Sequence, residues 1–237
     1  MRIRLNILFA LMIVMVSCTP EDITPTSSNY NGIRYFPLDS SVSITYRHTE
    51  ITIDKPVNRY DTVEYYVRET IVESFIDETG NRAYVIEQQF SNDIGQNYFA
   101  SSRYIAQVFN QAAFVVKDNI RTVIIRFPAQ INKTWNLNAF NTLEQLIVSI
   151  SSIDAPLTYD RFEFDSVLVI THKADSSLIH KNLEKEIFAA GIGLVYRENI
   201  QLNSQEVIPQ VPVENRITTG TIYKTAIVDY SINNSMQ

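Results

Sequence analysis

From Ile33 to Ile232 the apolar positions recur mostly every second residue, which predicts strands and not helices. Val42, Ile44 and Tyr46 alternate with Ser43, Thr45 and Arg47, and Val63, Tyr65 and Val67 alternate with Glu64, Tyr66 and Arg68. Asp118-Asn119 sits between two β-branched arms and predicts a two-residue hairpin turn. A second hairpin is expected around Asp77–Asn81, and further strands at 97–108, 144–153, 161–172, 193–202 and 217–230. Two stretches are ambiguous. Ser177–Ala190 reads as a helix capped by Gly191, with Leu183, Ile187 and Ala190 on one face, or as strand-loop-strand. Ser101–Ala113 is equally open. Ser151–Pro156 and Pro209–Pro212 read as loop excursions.

About ten strands without βα alternation predict a mainly β, antiparallel fold. A strongly curved sheet or half-barrel with a minor helical element is the expected form, and a closed barrel or a β-sandwich is the alternative.

The N-terminus has a different pattern. Arg2 and Arg4 precede the apolar run Leu5–Val16, whose twelve residues would span only about 18 Å as a helix. A membrane span needs about 20 residues, so residues 1–17 read as a signal peptide. The chain's one cysteine, Cys18, falls at the end of that run. Met15-Val16-Ser17-Cys18 resembles a bacterial lipobox, which implies lipidation of Cys18 and an acyl anchor in the outer membrane. Residues 18–31, rich in Pro, Ser, Thr and Asn, read as a flexible tether, and 32–237 as a single β-rich domain. Glu21-Asp22 resembles the acidic surface-export signal of Bacteroidota lipoproteins.

Three further blocks resemble uncharacterised cell-envelope lipoproteins of the Bacteroidota. They are Tyr35-Phe36-Pro37-Leu38 followed by Ile44-Thr45-Tyr46, then Lys133-Thr134-Trp135-Asn136 after Phe127-Pro128, and Gly191 to Glu198, GIGLVYRE. Asp39-Ser40-Ser41 stands where the family has a glycine-containing turn, and Ile44 where it has tryptophan. The resemblance implies a fold and a location and carries no activity.

Composition narrows the functional classes. The formal charge of −6 becomes −8 once residues 1–17 and their two arginines are removed, which argues against nucleic acid as a partner. It also leaves the acyl group to do the anchoring on anionic lipid. The sequence has no G-x-S-x-G elbow and no P-loop. Gly191-x-Gly193 lacks a third glycine and predicts a bulge or a close backbone approach in a strand. His172 and His180, near Asp175 and Glu184, read as surface histidines and not as a metal centre. Glu163 and Asp165 share one strand face opposite Phe162 and Phe164, so a solvated strand face explains them without glycoside hydrolysis. No catalytic residue, cofactor or metal is assigned.

Trp135, Phe140, Tyr104 and Phe114 are the candidate lining of an apolar cavity, with Trp135 also a candidate structural anchor. Asp61-Thr62-Val63 and Asp165-Ser166-Val167 resemble the O-glycan acceptor pattern of secreted Bacteroidota proteins, which marks Thr62 and Ser166. The expected function is a non-enzymatic, lipid-anchored envelope protein that binds an apolar small molecule or an envelope protein. The alternatives are a carbohydrate-active enzyme or its accessory module, and a structural component of the envelope.

Lipidation is directly testable. Metabolic labelling with an alkyne fatty acid is expected to tag the wild-type chain and leave Cys18→Ser unlabelled; equal labelling of the two would contradict the lipobox.

Overall fold

The structure, a computed structural model, describes residues 31–38 and 42–232. Residues 1–30, with the segment read as a signal peptide, Cys18, Glu21-Asp22 and most of the segment read as a tether, lie outside the described residues, as does Asp39–Ser41. The strands are β1 (Val42–Asp54), β2 (Arg59–Ile76), β3 (Arg82–Ser91), β4 (Phe99–Phe109), β5 (Ala112–Lys117), β6 (Ile120–Arg126), β7 (Thr134–Asn136), β8 (Ile147–Tyr159), β9 (Phe162–Ser176), β10 (His180–Ala189), β11 (Gly193–Asn203) and β12 (Thr219–Ile232). All twelve belong to one sheet, in the order β6-β5-β4-β3-β2-β1-β12-β11-β10-β9-β8-β7. Every pairing is antiparallel. The sheet is thus an up-and-down meander whose first and last strands pair, and it curls into a nearly closed barrel. Among the described residues helix is confined to three 3-10 turns, at Ile33–Tyr35, Lys55–Val57 and Val213–Asn215.

The expected hairpins form where the turn chemistry places them. Asp118 and Asn119 both take positive φ, 52° and 62°, as a tight turn between right-twisted strands requires. Ser101–Ala113 resolves into another such hairpin through Asn110 and Gln111, with φ of 46° and 56°. Ser177–Ala190 is not a helix: His180–Ala189 is β10, and it pairs with both β9 and β11. Ser151–Pro156 is not a loop either. It lies within β8, where successive bulges and Asp154 at φ 60° bend the strand.

The two sheet edges, β6 and β7, meet. The Val123 N–H donates to the Leu137 carbonyl at 2.9 Å, and the Trp135 indole N–H donates to the Val123 carbonyl at 2.8 Å. Asn141 Nδ2 adds a bond to the Arg121 carbonyl at 2.9 Å. Beneath this seam the larger core packs Phe114, Val123, Ile125 and Phe127 against Trp135, Val148, Ile150, Leu168 and Ile170.

One end of the barrel is plugged by residues 31–38. The Ala129 N–H donates to the Asn31 carbonyl and the Gly191 N–H to the Arg34 carbonyl, both at 2.7 Å. Gly32 takes φ +99°, and a Cβ there would lie 2.5 Å from the Ala129 Cβ, so the approach requires glycine. Tyr35 is fully buried, with its hydroxyl 2.5 Å from Asp154 Oδ1 and 2.7 Å from Ser166 Oγ. The glycines of Gly191-x-Gly193 serve the turn and not a tight approach: both take positive φ, a Cβ on Gly191 would meet nothing within 4 Å, and one on Gly193 would make ordinary contact with Pro37 at 3.7 Å. The meander places the 77–81, 110–111, 127–133, 160–161 and 190–192 connections at this plugged end and the other six at the opposite end.

Trp135→Ala removes both the seam bond and a buried ring, so it is expected to cost about 3–5 kcal/mol in urea unfolding. A loss below about 1 kcal/mol would show that the seam does not hold the barrel shut.

Candidate functional site

Between the plug and the barrel wall lies a cavity of about 390 Å³. This volume falls in the lower part of the ~300–1,000 Å³ range of small-molecule sites. Phe36, Pro37 and Leu38 of the plug form part of its lining, and the rest comes from β1–β6 and β10–β12.

The wall changes character along the barrel axis. Going from the plugged end toward the open one, Ile71 gives way to Glu69 on β2, Ile86 to Gln88 on β3, and Ala106 to Tyr104 on β4. The same switch takes Val115 to Lys117 on β5, Ile124 to Thr122 on β6 and Leu194 to Arg197 on β11. On β1 the order is Ile44, Tyr46, His48. On β10, Phe188 is followed by Glu186, which lies behind Arg197. Strands running in opposite directions make the same apolar-to-polar step, so the cavity has a greasy inner half beside the plug and a polar outer half. Beyond His48 the interior opens. Val63 and Tyr223, both paired with Glu50 on the same face as His48, are 54% and 44% exposed.

The polar half is a hydrogen-bonded belt. His48, Thr225, Arg197 and Glu186 form one row across β1, β12, β11 and β10. Thr225 Oγ1 lies 3.1 Å from His48 Nδ1. Arg197 meets Glu186 Oε1 through Nε at 2.6 Å and through Nη2 at 2.5 Å. Across the cavity, Gln88 Nε2 and the Tyr104 hydroxyl donate to the two Glu69 oxygens at 2.7 and 2.9 Å. Gln88 Oε1 in turn accepts from Lys117 Nζ at 2.9 Å and from Ser102 Oγ at 2.8 Å.

Behind Arg197, His172 fills the β9 bulge opposite Glu184 and Lys185, with its ring nitrogens 3.3 Å from Glu184 Oε1 and from Glu186 Oε2. It is not the surface histidine expected from the sequence; its side chain is 6% exposed. Burial alone would push it down, but the two carboxylates outweigh burial and hold it at about 9. Burial likewise works against the Glu186 carboxylate, and Arg197 and His172 together bring it down to about 2. His48 has no carboxylate in contact; burial, with Arg197 and Lys117 adding to it, lowers it to about 4. It stacks on Tyr65 at 4.9 Å between ring centroids.

The residues marked in the sequence are dispersed. Of the four aromatic candidates, Tyr104 lines the cavity. Trp135 and Phe114 belong to the core beneath the seam, and Phe140 is a surface ring that meets Phe114 edge-on at 5.4 Å. Thr62 is exposed on β2. Ser166 is half-buried, with its hydroxyl against Tyr35, Arg34 and Asp154. Glu163 and Asp165 are exposed on β9 while Phe164 between them is buried. His180 bonds Asp175 at 3.0 Å and Ser177 at 2.7 Å at the β9–β10 turn. Among the described residues no group of three or more His, Cys, Asp or Glu is placed to hold a metal ion. His48, Glu69, Glu186 and Arg197 are the site residues that sequence reasoning missed.

No protein-family model matches this chain, and no curated protein matches it. Among solved structures it is similar to the crystal structure of a Bacteroides fragilis protein with a YmcC-like fold, assigned there as exported. The TM-score is 0.40 and the identity 11%, covering 81% of this chain and 98% of that one.

The two shifted histidines bracket a stability optimum. Unfolded histidine titrates near 6.5. His172 keeps its proton in the fold, so its contribution is complete below pH 6.5 and is lost as pH rises through about 9. His48 stays neutral in the fold, so stability falls as pH drops from 6.5 toward 4 and the unfolded chain takes up a proton. Unfolding free energy is expected to peak near pH 6.5, and His172→Gln is expected to flatten the limb between 6.5 and 9. Denaturant titrations across that range check this, and an unchanged alkaline limb in the variant would contradict it.

Proposed function

We propose that this chain is a lipid-anchored envelope protein of the outer membrane whose barrel binds a small amphipathic molecule without transforming it. The observation that carries the binding reading is the axial switch in the cavity wall, repeated from strand to strand in both chain directions. An apolar pocket that needs only to fill a core has no use for a polar second half. A water-filled pocket has no use for the isoleucine, leucine and phenylalanine side chains around the plug. An amphipath satisfies both halves together. The lipobox and tether supply the anchoring half of the proposal. The chain that leads to Cys18 joins the barrel at the plugged end, at Asn31, so the open end lies opposite the point of attachment.

The catalytic alternative has less support. Glycoside hydrolysis uses a pair of carboxyl groups flanking the bond to be cut. Glu69 is the carboxylate among the cavity's lining residues, and Gln88 and Tyr104 already occupy its oxygens. A protein partner is a second reading with its own observation. Each of the six connections at the open end carries, in it or next to it, an exposed large apolar side chain: Val57, Ile94, Ile120, Leu143, Leu178 and Val207. Such a set fits an envelope protein seated on the mouth. For O-glycan attachment, Thr62 is the more accessible of the two acceptors.

The cavity reading is tested with decanol and the full chain carrying Cys18→Ser. Calorimetry is expected to show one decanol per chain. Ala106→Phe, which pushes a ring into the greasy half, is expected to weaken binding at least tenfold. Decanol binding that Ala106→Phe leaves unchanged would place the ligand elsewhere.

A further inference from the structure

The ionic groups of the polar belt are not arranged symmetrically about the cavity. Both contacts from Arg197 to Glu186 land on one carboxylate oxygen, Oε1, and leave from Nε and Nη2. The other oxygen, Oε2, faces His172. Glu186 is therefore consumed from both sides and is buried, with its side chain 4% exposed. Its partner is not: the Arg197 side chain is 48% exposed, and it lines the cavity deep within the barrel wall. Nη1 has no partner among the described contacts. A pair that served only the fold would bury both ions; here the anion is hidden and the cation is presented.

The other charged lining residues are Lys117 and Glu69. Lys117 bonds the neutral Gln88, and no carboxylate lies within ion-pair distance of it among the described residues. Glu69, the one lining carboxylate, has a donor on each oxygen. Glu69 keeps its negative charge but both its oxygens are occupied, so the hydrogen-bonding capacity still open on the wall is the outer edge of the Arg197 fork, which sits where Leu194 gives way to Arg197, at the boundary between the greasy and polar halves.

We infer that the amphipath is a carboxylate, with its head group on the free edge of Arg197 and its hydrocarbon part against the plug residues Phe36, Pro37 and Leu38. The guanidinium fork matches a planar carboxylate through two parallel N–H bonds. The Glu186–His172–Glu184 chain behind Arg197 fixes the fork's position before any ligand arrives. This inference rests on the cavity being a ligand site and adds the sign and shape of the head group.

The test compares three probes of equal chain length on the full Cys18→Ser chain at pH 7 by calorimetry: decanoate, decanol and decyltrimethylammonium. Decanoate is expected to bind at least tenfold tighter than decanol, and the cation weakest. Arg197→Gln is expected to bring decanoate to the decanol level and leave decanol unchanged. Because that variant strands Glu186, the double variant Arg197→Gln/Glu186→Gln is run beside it and is expected to show the same loss. Equal binding of the three probes, a preference for the cation, or a decanoate preference that survives in the folded double variant would overturn the carboxylate assignment while leaving the cavity reading intact. No binding of any probe would overturn both.

Discussion

A meander of twelve strands has two edges, and unpaired backbone at those edges is both a stability loss and an aggregation hazard. This barrel resolves the problem at Val123. Its N–H and carbonyl are taken up by Leu137 and by the indole of Trp135, so β6 is tied to β7 and the segment after it. Everything that gives the interior its character depends on that closure. With the seam open, β5 and β6 would no longer face β8 and β9, and the core from Phe114 to Ile170 would lose one of its sides. The plug is set against the same neighbourhood, because Ala129, which holds Asn31, lies just beyond β6.

Closing the barrel creates an interior too large for its own side chains to fill. The chain fills the seam side with aromatic and branched residues, caps one end with the plug, and leaves the rest lined by groups that satisfy one another. Burying His172 and Glu186 carries a desolvation cost that their charged neighbours offset. His172 and Glu186 face each other at 3.3 Å, with Glu184 beside the other ring nitrogen, while the Arg197 fork keeps an edge toward the cavity. On the proposed reading, that open edge sets the head group the cavity prefers, and the greasy surface beside it sets the tail.

Much of the fold was legible because local turn chemistry and alternation agree. Asp118-Asn119 and Asp77–Asn81 announced their hairpins, and the period-two arms announced the strands. The failures have separate causes. β10 is continuous and extended, the residues skipped in its pairing being His172 of β9 and Val195 of β11, but Glu186, Ile187, Phe188 and Ala189 are all buried. Its second half therefore shows no alternation, and Leu183, Ile187 and Ala190 fall at helix-like spacing although the backbone is extended. In β8 three slips around Asp154 hide a strand inside what reads as a loop. The site was harder still. Cavity-lining residues such as Gln88 and Arg197 stand among polar neighbours, Glu87 and Gln89 or Tyr196 and Glu198, in the same way as residues facing bulk solvent. Nothing in one sequence distinguishes the inside of a hydrated barrel from its outside. The axial switch is also invisible along the chain, since its order reverses with each strand: Ile86 then Gln88 on β3, but Tyr104 then Ala106 on β4.

The most direct test of an amphipath-binding barrel is the position of a heavy atom. Crystals of the chain with 10-bromodecanoate, measured at the bromine edge, are predicted to show one anomalous peak in the greasy half beside Phe36 and Leu38, with the carboxylate on Arg197. A bromine found at the open end, on the outer surface, or nowhere in the barrel would contradict the account.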